Sequence, residues 1–447
     1  MSAASVDAIR NCLEGAIPST LATCSPDGVP NVTYVSQVEY VDHQHVALSF
    51  QFFSKTRENI LLHPFATAYV TDGVTGASYR LSLQFLHTQT EGWLFERMKA
   101  KLAGIASHSG LAGVFRLLGS DVYRVLAIER VPGGSLPAPA PRRNLLSALR
   151  AASEALCAIG ELSSLLDQTL QSLDAQFGIA HSMLLMFDAA QQRLYTVATH
   201  GYAESGVGFE IGLGEGVIGV AAQHRVPIRI AHMTNEYSYA RAVRDQAIDA
   251  GFSTDAEVPF VGLAQAHSQM AVPILAADAL VGVLYVESPE QQRFSYDDED
   301  ALVTLARQVG LAIRGLQCVE TAVAEDAPRT QPVALQTQGV AAVRHFAEND
   351  SVFIDNDYII KGVAGAILWR LLGQHAENGR TEFSNRELRL DAALRLPDID
   401  DNLEARLILL SRRLDERCDF LAIEKTGRGR FRLKVGRRLE LLASVPR

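Results

Sequence analysis

The densest chemistry in this chain is a run of cations near its end. Over residues 402–438 there are 11 Lys or Arg against 5 Asp or Glu, a local surplus of six in a chain whose formal net charge is −10. Fixed cations crowded onto one short segment are the electrostatic footprint of a phosphate-contacting surface. Other chemistries are excluded by spacing. The five cysteines (Cys12, Cys24, Cys157, Cys318, Cys418) are scattered, odd in number and never set as CxxC, so no disulfide framework, zinc site or iron–sulfur site is indicated. Gly214-x-Gly216-x-x-Gly219 has the spacing of a dinucleotide fingerprint, but its flanks read as antiparallel hairpins rather than a βαβ unit, so a nucleotide reading is rejected.

The elements that must position these residues fall into three blocks. At 447 residues, 48% hydrophobic and 21% charged, the chain has the balance of a well-cored globular protein with about three domains. PGGSLPAPAP at 132–141 and the Pro-containing stretch at 322–339 read as linkers. The expected division is 1–131, a linker 132–144, 145–321, a linker 322–344, and 345–447. The N-terminus lacks an apolar signal core, and no apolar run reaches the roughly 20 residues of a membrane helix. A cytoplasmic protein with no membrane association is therefore expected. The fold class expected is multidomain α+β.

The first block shows an amphipathic start (Val6, Ile9, Leu13), then short strands punctuated by Ser25-Pro26-Asp27-Gly28 and similar turns, the pattern of a small antiparallel barrel. STLATCSPDGVPNVTYV, FFSKTRENI, HPFATAYVTD and DVYRVLAIERV give residues 5–131 a resemblance to the pyridoxamine-phosphate-oxidase-like split barrels. That resemblance implies FMN as cofactor, with Ser54, Lys55, Thr56 and Arg57 at its phosphate and Ser36 and Gln37 on the neighbouring strand. A phosphate dianion needs a fixed cation and hydroxyl donors beside backbone amides. Two departures stand out: Ser54 and Lys55 are adjacent, and the oxidases' strand arginine is replaced around Thr33 to Gln37. Pyridoxamine-phosphate oxidation is thus disfavoured. Three readings stay open: a flavin barrel, an empty barrel used for dimerisation or ligand binding, and a tetrapyrrole site through His87 and His108.

In the second block, apolar positions from Leu145 to Leu173 repeat at three, four and seven residues, which predicts one long helix over 145–178. GLGEGVIGVAAQHRVPI and HSQMAVPILAADALVGVLYVES, followed by an acid-capped exit helix, resemble a GAF domain over residues 160–317: an α/β sandwich on an antiparallel sheet. The resemblance implies a small-molecule pocket under the segment 231–268, with His232, Tyr237, Tyr239, Phe252, His267 and Met270 as candidate liners. An iron or haem through His232 or His267, and an unliganded dimerisation domain, are the alternatives. No cysteine stands where a bilin would attach. The resemblance also implies that the flanking helices at 145–178 and 297–319 form a parallel dimer bundle, hence a homodimer, with which the leucine stripe is consistent.

The third block reads as a helix at 358–376, a short strand with an N-cap serine at Ser384, a helix from Asn385 to Leu390, a helix from Leu403 to Cys418, and a hairpin. NLEARLILLSRRLDE and EKTGRGRFRL resemble the winged-helix effector domain of OmpR-type response regulators. The resemblance implies a DNA partner, with Arg406, Arg412 and Arg413 on a recognition helix in the major groove and Lys425, Arg428, Arg430 and Arg432 on the wing. Together the three blocks lead to the expectation of a one-component transcription regulator controlled by a small-molecule or redox signal. The rival expectation is an FMN-dependent oxidoreductase regulated by its other domains.

Overall fold

The computed structural model describes all residues except 1–4, 16, 36, 51–54, 109–116, 140–142, 232–259, 323–338, 392–393, 395–402 and 445–447. A 3-10 helix, Val6–Leu13, buries Val6, Ile9, Cys12 and Leu13. After it come β1 (Ser19–Cys24), β2 (Pro30–Val35), β3 (Val38–Asp42), β4 (His45–Phe50), α1 (Lys55–Leu62), β5 (Phe65–Thr71), β6 (Ser78–Gln89), α2 (Trp93–His108) and β7 (Gly119–Arg130). The strands form one seven-stranded antiparallel sheet in the order β2-β1-β5-β6-β7-β4-β3. The β1–β2 turn closes where Gly28 takes φ 82° and donates its N–H to Ser25 O at 2.9 Å. Helix α2 was not expected from the sequence. It packs Leu94, Met98 and Leu102 on its own sheet against Ala47 and Val122 and buries Ala100 against the central unit.

The central unit runs α3 (Leu145–Cys157), α4 (Leu162–Phe177), β8 (His181–Asp188), β9 (Arg193–His200), β10 (Glu210–Gly212), α5 (Gly216–His224), β11 (Ile228–Ile230), β12 (Ser268–Ala276), β13 (Ala279–Ser288) and α6 (Tyr296–Ala322). Its six strands pair antiparallel in the order β10-β9-β8-β13-β12-β11. Alternation splits the sheet into two faces. Leu184, Met186, Val197, Val272 and Leu284 point to α3, α4 and α6. Met183, Leu185, Val283 and Tyr285 point to α5.

Two expectations for this unit are corrected. The stretch 145–178 is two helices, not one: α3 ends at the cap Ala158, and α4 starts after Glu161 and stops at Gly178 in the left-handed region. The leucine stripe is spent inside the chain's own core, where Leu156, Leu162, Leu166, Leu170 and Leu173 are buried. It therefore gives no argument for a parallel dimer.

The last unit contains β14 (Val340–Phe346), β15 (Ser351–Ile354), β16 (Asp357–Ile360), α7 (Gly362–Asn378), β17 (Glu382–Ser384), α8 (Asn385–Leu390), α9 (Leu403–Arg417), β18 (Leu421–Gly427), β19 (Arg430–Val435) and β20 (Arg438–Ser444). One sheet has the order β16-β15-β14-β20, with β14 and β20 parallel; the other has β17-β19-β18. Ser384 opens α8 with a full capping box, its side chain and that of Glu387 each bonding the other's backbone N–H. Here too the reading of the sequence is corrected. Tyr358 to Ile360 lie in β16 rather than at the start of a helix, because β-branched Ile359 and Ile360 are buried as a strand end. Strand β14 begins inside the expected linker 322–344, since its alternating Ala341 and Val343 are core residues.

Candidate functional site

Three constellations could carry function. The first is the phosphate set expected in the N-terminal unit. Ser36 and Ser54 lie outside the described residues. Gln37 donates from Nε2 to Glu39 Oε2 at 3.3 Å. Lys55 is exposed and pairs with Glu58 at 3.2 Å, and Thr56 Oγ1 accepts from Asn31 Nδ2 at 2.7 Å. Arg57 points inward: it pairs with Asp121, donates to Thr88 Oγ1 at 2.7 Å and lies over the Phe50 ring at 4.5 Å. Its charge fastens α1 to β6 and β7, so the expected phosphate role is corrected. Lys55 is a solvated cation on a long stem, and with Ser54 outside the described residues the residues described supply no fixed cation and hydroxyl set that fits an FMN phosphate. His87 is exposed and contacts Gln89, and the His108 side chain is outside the described residues, so the tetrapyrrole reading gains nothing. Among the described residues no group of three or more His, Cys, Asp or Glu is placed to hold a metal.

Where the N-terminal unit meets the central one, six charged side chains form a continuous chain of ion pairs. Arg229 on β11 pairs with Glu14 and, at 2.9 Å, with Glu299. Arg97 on α2 bridges Glu299 at 2.9 Å and Glu39 at 2.8 Å, and Lys101 reaches Glu39 at 2.9 Å. Three acids face three bases, with Arg229 stacked on Tyr296 at 4.3 Å. Burial by itself raises the Glu299 carboxyl, but Arg229, Lys101 and Arg97 overcome it and hold the group at about 2. Burial wins at Glu14, whose carboxyl is raised despite Arg229.

The second constellation lies on the α5 side of the central sheet. Phe209, Phe260 and Tyr285 form an aromatic wall, with ring centroids 5.1 and 6.0 Å apart. Tyr285 Oη donates to Gln269 Oε1 at 2.6 Å, and buried Glu287 accepts from Leu263 N at 2.7 Å. Burial, then the charge of Glu287, pushes the nearby Tyr202 hydroxyl above the usual tyrosine range. Apolar walls with a few convergent polar groups are the ordinary make-up of a small-molecule site. Of the expected liners, His232, Tyr237, Tyr239 and Phe252 lie outside the described residues. No described group partners the buried Nδ1 of His267. Met270 is corrected: it is fully buried on the opposite, helix-covered face, because it alternates with Gln269 along β12. The period-two pattern Tyr285-x-Glu287, an aromatic and an acid inside an otherwise apolar strand, is the signal along the chain for this cluster, and the motif comparison passes over it.

The third constellation is the cationic one. Helix α9 has no fully exposed residue from Leu403 to Leu414. Arg406 is 4% exposed and pairs with Asp188 at 3.0 Å, and its guanidinium sits 6.0 Å from the Tyr195 ring. Arg412 donates to Val197 O at 2.6 Å and to Asp167 Oδ1 at 2.7 Å. All four of those partners belong to the central unit. Arg413 turns into its own unit, donating to Ile359 O at 3.0 Å and pairing with Glu416 at 3.2 Å, so its expected groove role is corrected. Burial pulls the Arg413 guanidinium below the usual arginine value. Lys425 pairs with Glu404 at 3.2 Å and Glu161 at 3.5 Å, while Arg432 pairs with Glu382 at 2.5 Å. Arg428 and Arg430, at the hairpin turn, are exposed.

Comparison with known proteins supports the middle of the chain. The GAF-domain family model matches residues 161–313. The chain is similar to the GAF domain of a phosphoenolpyruvate-protein phosphotransferase from Coxiella burnetii: 22% identity over 40% of this chain and 98% of that one, TM-score 0.32. It is similar to free methionine-R-sulfoxide reductase from Neisseria meningitidis at 16% identity, over 39% and 91% of the two chains, TM-score 0.31. An FMN-binding protein from Syntrophomonas wolfei matches at 21% identity over 28% and 88%, TM-score 0.24. No curated protein matches the chain. No helix among the described residues is long and apolar enough to cross a membrane. The strand order, the two-faced core and the family match together identify residues 161–313 as a GAF domain.

Proposed function

We propose that this chain is a one-component regulator in which the GAF domain takes up a small molecule and the C-terminal unit contacts DNA. The observation that carries the reading is the C-terminal unit itself. Its helix, strand, helix, helix and hairpin follow the winged-helix order, and its hairpin turn presents Arg428 and Arg430 to solvent. The aromatic wall with Gln269 and Glu287 supports the ligand half of the reading. The N-terminal sheet is then a docking module held on the GAF domain by the six-charge network. A flavin oxidoreductase has less support, because Arg57 is committed to Asp121.

Duplex binding as a function of salt tests the DNA half. Removing both turn cations (Arg428→Ala with Arg430→Ala) is expected to weaken binding to any sequence and lower the slope of log K against log salt by about two. An unchanged slope would mean that the hairpin does not touch phosphate.

A further inference from the structure

The C-terminal unit holds the cations that a duplex would need, yet three of them, Arg406, Arg412 and Lys425, are already answered by carboxylates of the GAF domain. Asp188 closes β8 and meets Arg406 with both side chains about 5% exposed. Asp167 on α4 meets Arg412, which Ser163 Oγ and the Val197 carbonyl also hold. At the rim, Lys361 pairs with Glu210 at 3.4 Å and Lys425 with Glu161 at 3.5 Å. Four acids of one unit therefore face four cations of the other. Acids placed on a cationic surface satisfy it as phosphates would, and they exclude phosphates by like charge.

We propose that this contact is an autoinhibitory clasp: the acidic edge of the GAF domain occupies the cationic face of α9 and keeps DNA from it until the two units part. The inference rests on the DNA-binding reading above and adds its regulation. The clasp is joined to the ligand face through one strand. Phe209 of the aromatic wall accepts from Thr196 N at 2.8 Å, and the neighbouring β9 residues Tyr195 and Val197 are those that hold Arg406 and Arg412. A ligand that shifts Phe209 therefore acts on the strand that carries the clasp. It favours the open state only as far as it binds that state better.

The test uses the full chain with Asp188→Asn and Asp167→Asn. Asparagine at 188 keeps the oxygen that accepts from Ala190 N and Gln191 N, so the β8–β9 turn retains its bonds while the charge facing Arg406 is lost. Two quantities are read: amide hydrogen exchange of residues 403–414, and affinity for a labelled mixed-sequence duplex of about 40 base pairs. The double variant is expected to exchange faster in α9 and to bind the duplex about tenfold more tightly than the parent, the scale of one interface charge pair. Asp167→Asn alone, at a half-exposed carboxylate that does not threaten the fold, is expected to gain about threefold. Equal duplex binding by parent and variants overturns the clasp while leaving the DNA reading standing. If no form binds duplex although α9 exchanges faster, the DNA reading falls and the inference falls with it.

Discussion

At the scale of single residues, the glycines at 214, 216 and 219 show why spacing is a weak witness to function. A Cβ on Gly219 would lie 2.2 Å from Gly212 O, and one on Gly214 would meet Gln223. Gly219 lets α5 sit against β10, where Glu215 Oε2 accepts from Gly212 N at 2.9 Å. Gly219 serves close packing, while Gly214 and Gly216 supply the positive φ, 80° and 57°, of the turn into α5. Gly219→Ala must push the helix off the strand and is expected to cost on the order of 2–4 kcal/mol in chemical denaturation of the full chain. A loss below about 0.5 kcal/mol, the range of an ordinary surface change, would show that the contact relaxes freely.

At the scale of elements, α9 is informative because its arginines divide by direction. Arg406 and Arg412 leave the unit, and Arg413 enters it. A helix turns about 100° per residue, so adjacent arginines at 412 and 413 cannot share a partner surface. Arg413→Ala strands the Ile359 carbonyl and is expected to destabilise the C-terminal unit by about 2–3 kcal/mol, whereas Arg412→Ala leaves that unit's own stability nearly unchanged. Urea unfolding followed by fluorescence checks this, since Trp369, stacked on His345, reports on the C-terminal unit. Equal losses for the two variants would contradict the division.

At the scale of the whole molecule, two ionic seams join three units, and the one between the N-terminal sheet and the GAF domain has a pH signature. The folded Glu299 carboxyl lies near 2, below its ordinary 4.5. A group depressed in this way contributes its full stabilisation above about pH 5 and loses it as pH falls through about 2. Glu299→Gln leaves Arg229 and Arg97 partly unanswered in a buried setting. It is expected to cost about 3 kcal/mol at neutral pH, with the difference from the parent closing as pH falls toward 2. Thermal unfolding between pH 7 and 2.5 measures this. A difference that does not shrink toward acid would show that the effect is steric rather than ionic.

What the sequence determined by itself was local and periodic. The 3.6-residue stripes, the alternating strands, the Pro-Asp-Gly turn and the Ser384 capping box follow from neighbours a few residues apart, and they make the GAF motif legible in the residues alone. The break at Ala158, the strand at Tyr358 to Ile360 and the placement of Met270 lie at the limit of such patterns, where short apolar runs fit either helix or strand. Only the tertiary structure decided which cations are available. Arg57 meets Asp121 from 64 positions away, Arg229 meets Glu14 from 215, and Arg412 meets Asp167 from 245. A charge count sees all of these groups as equal. Their chemistry depends on the opposite charge that folding brings beside them, and no pattern along the chain carries that pairing.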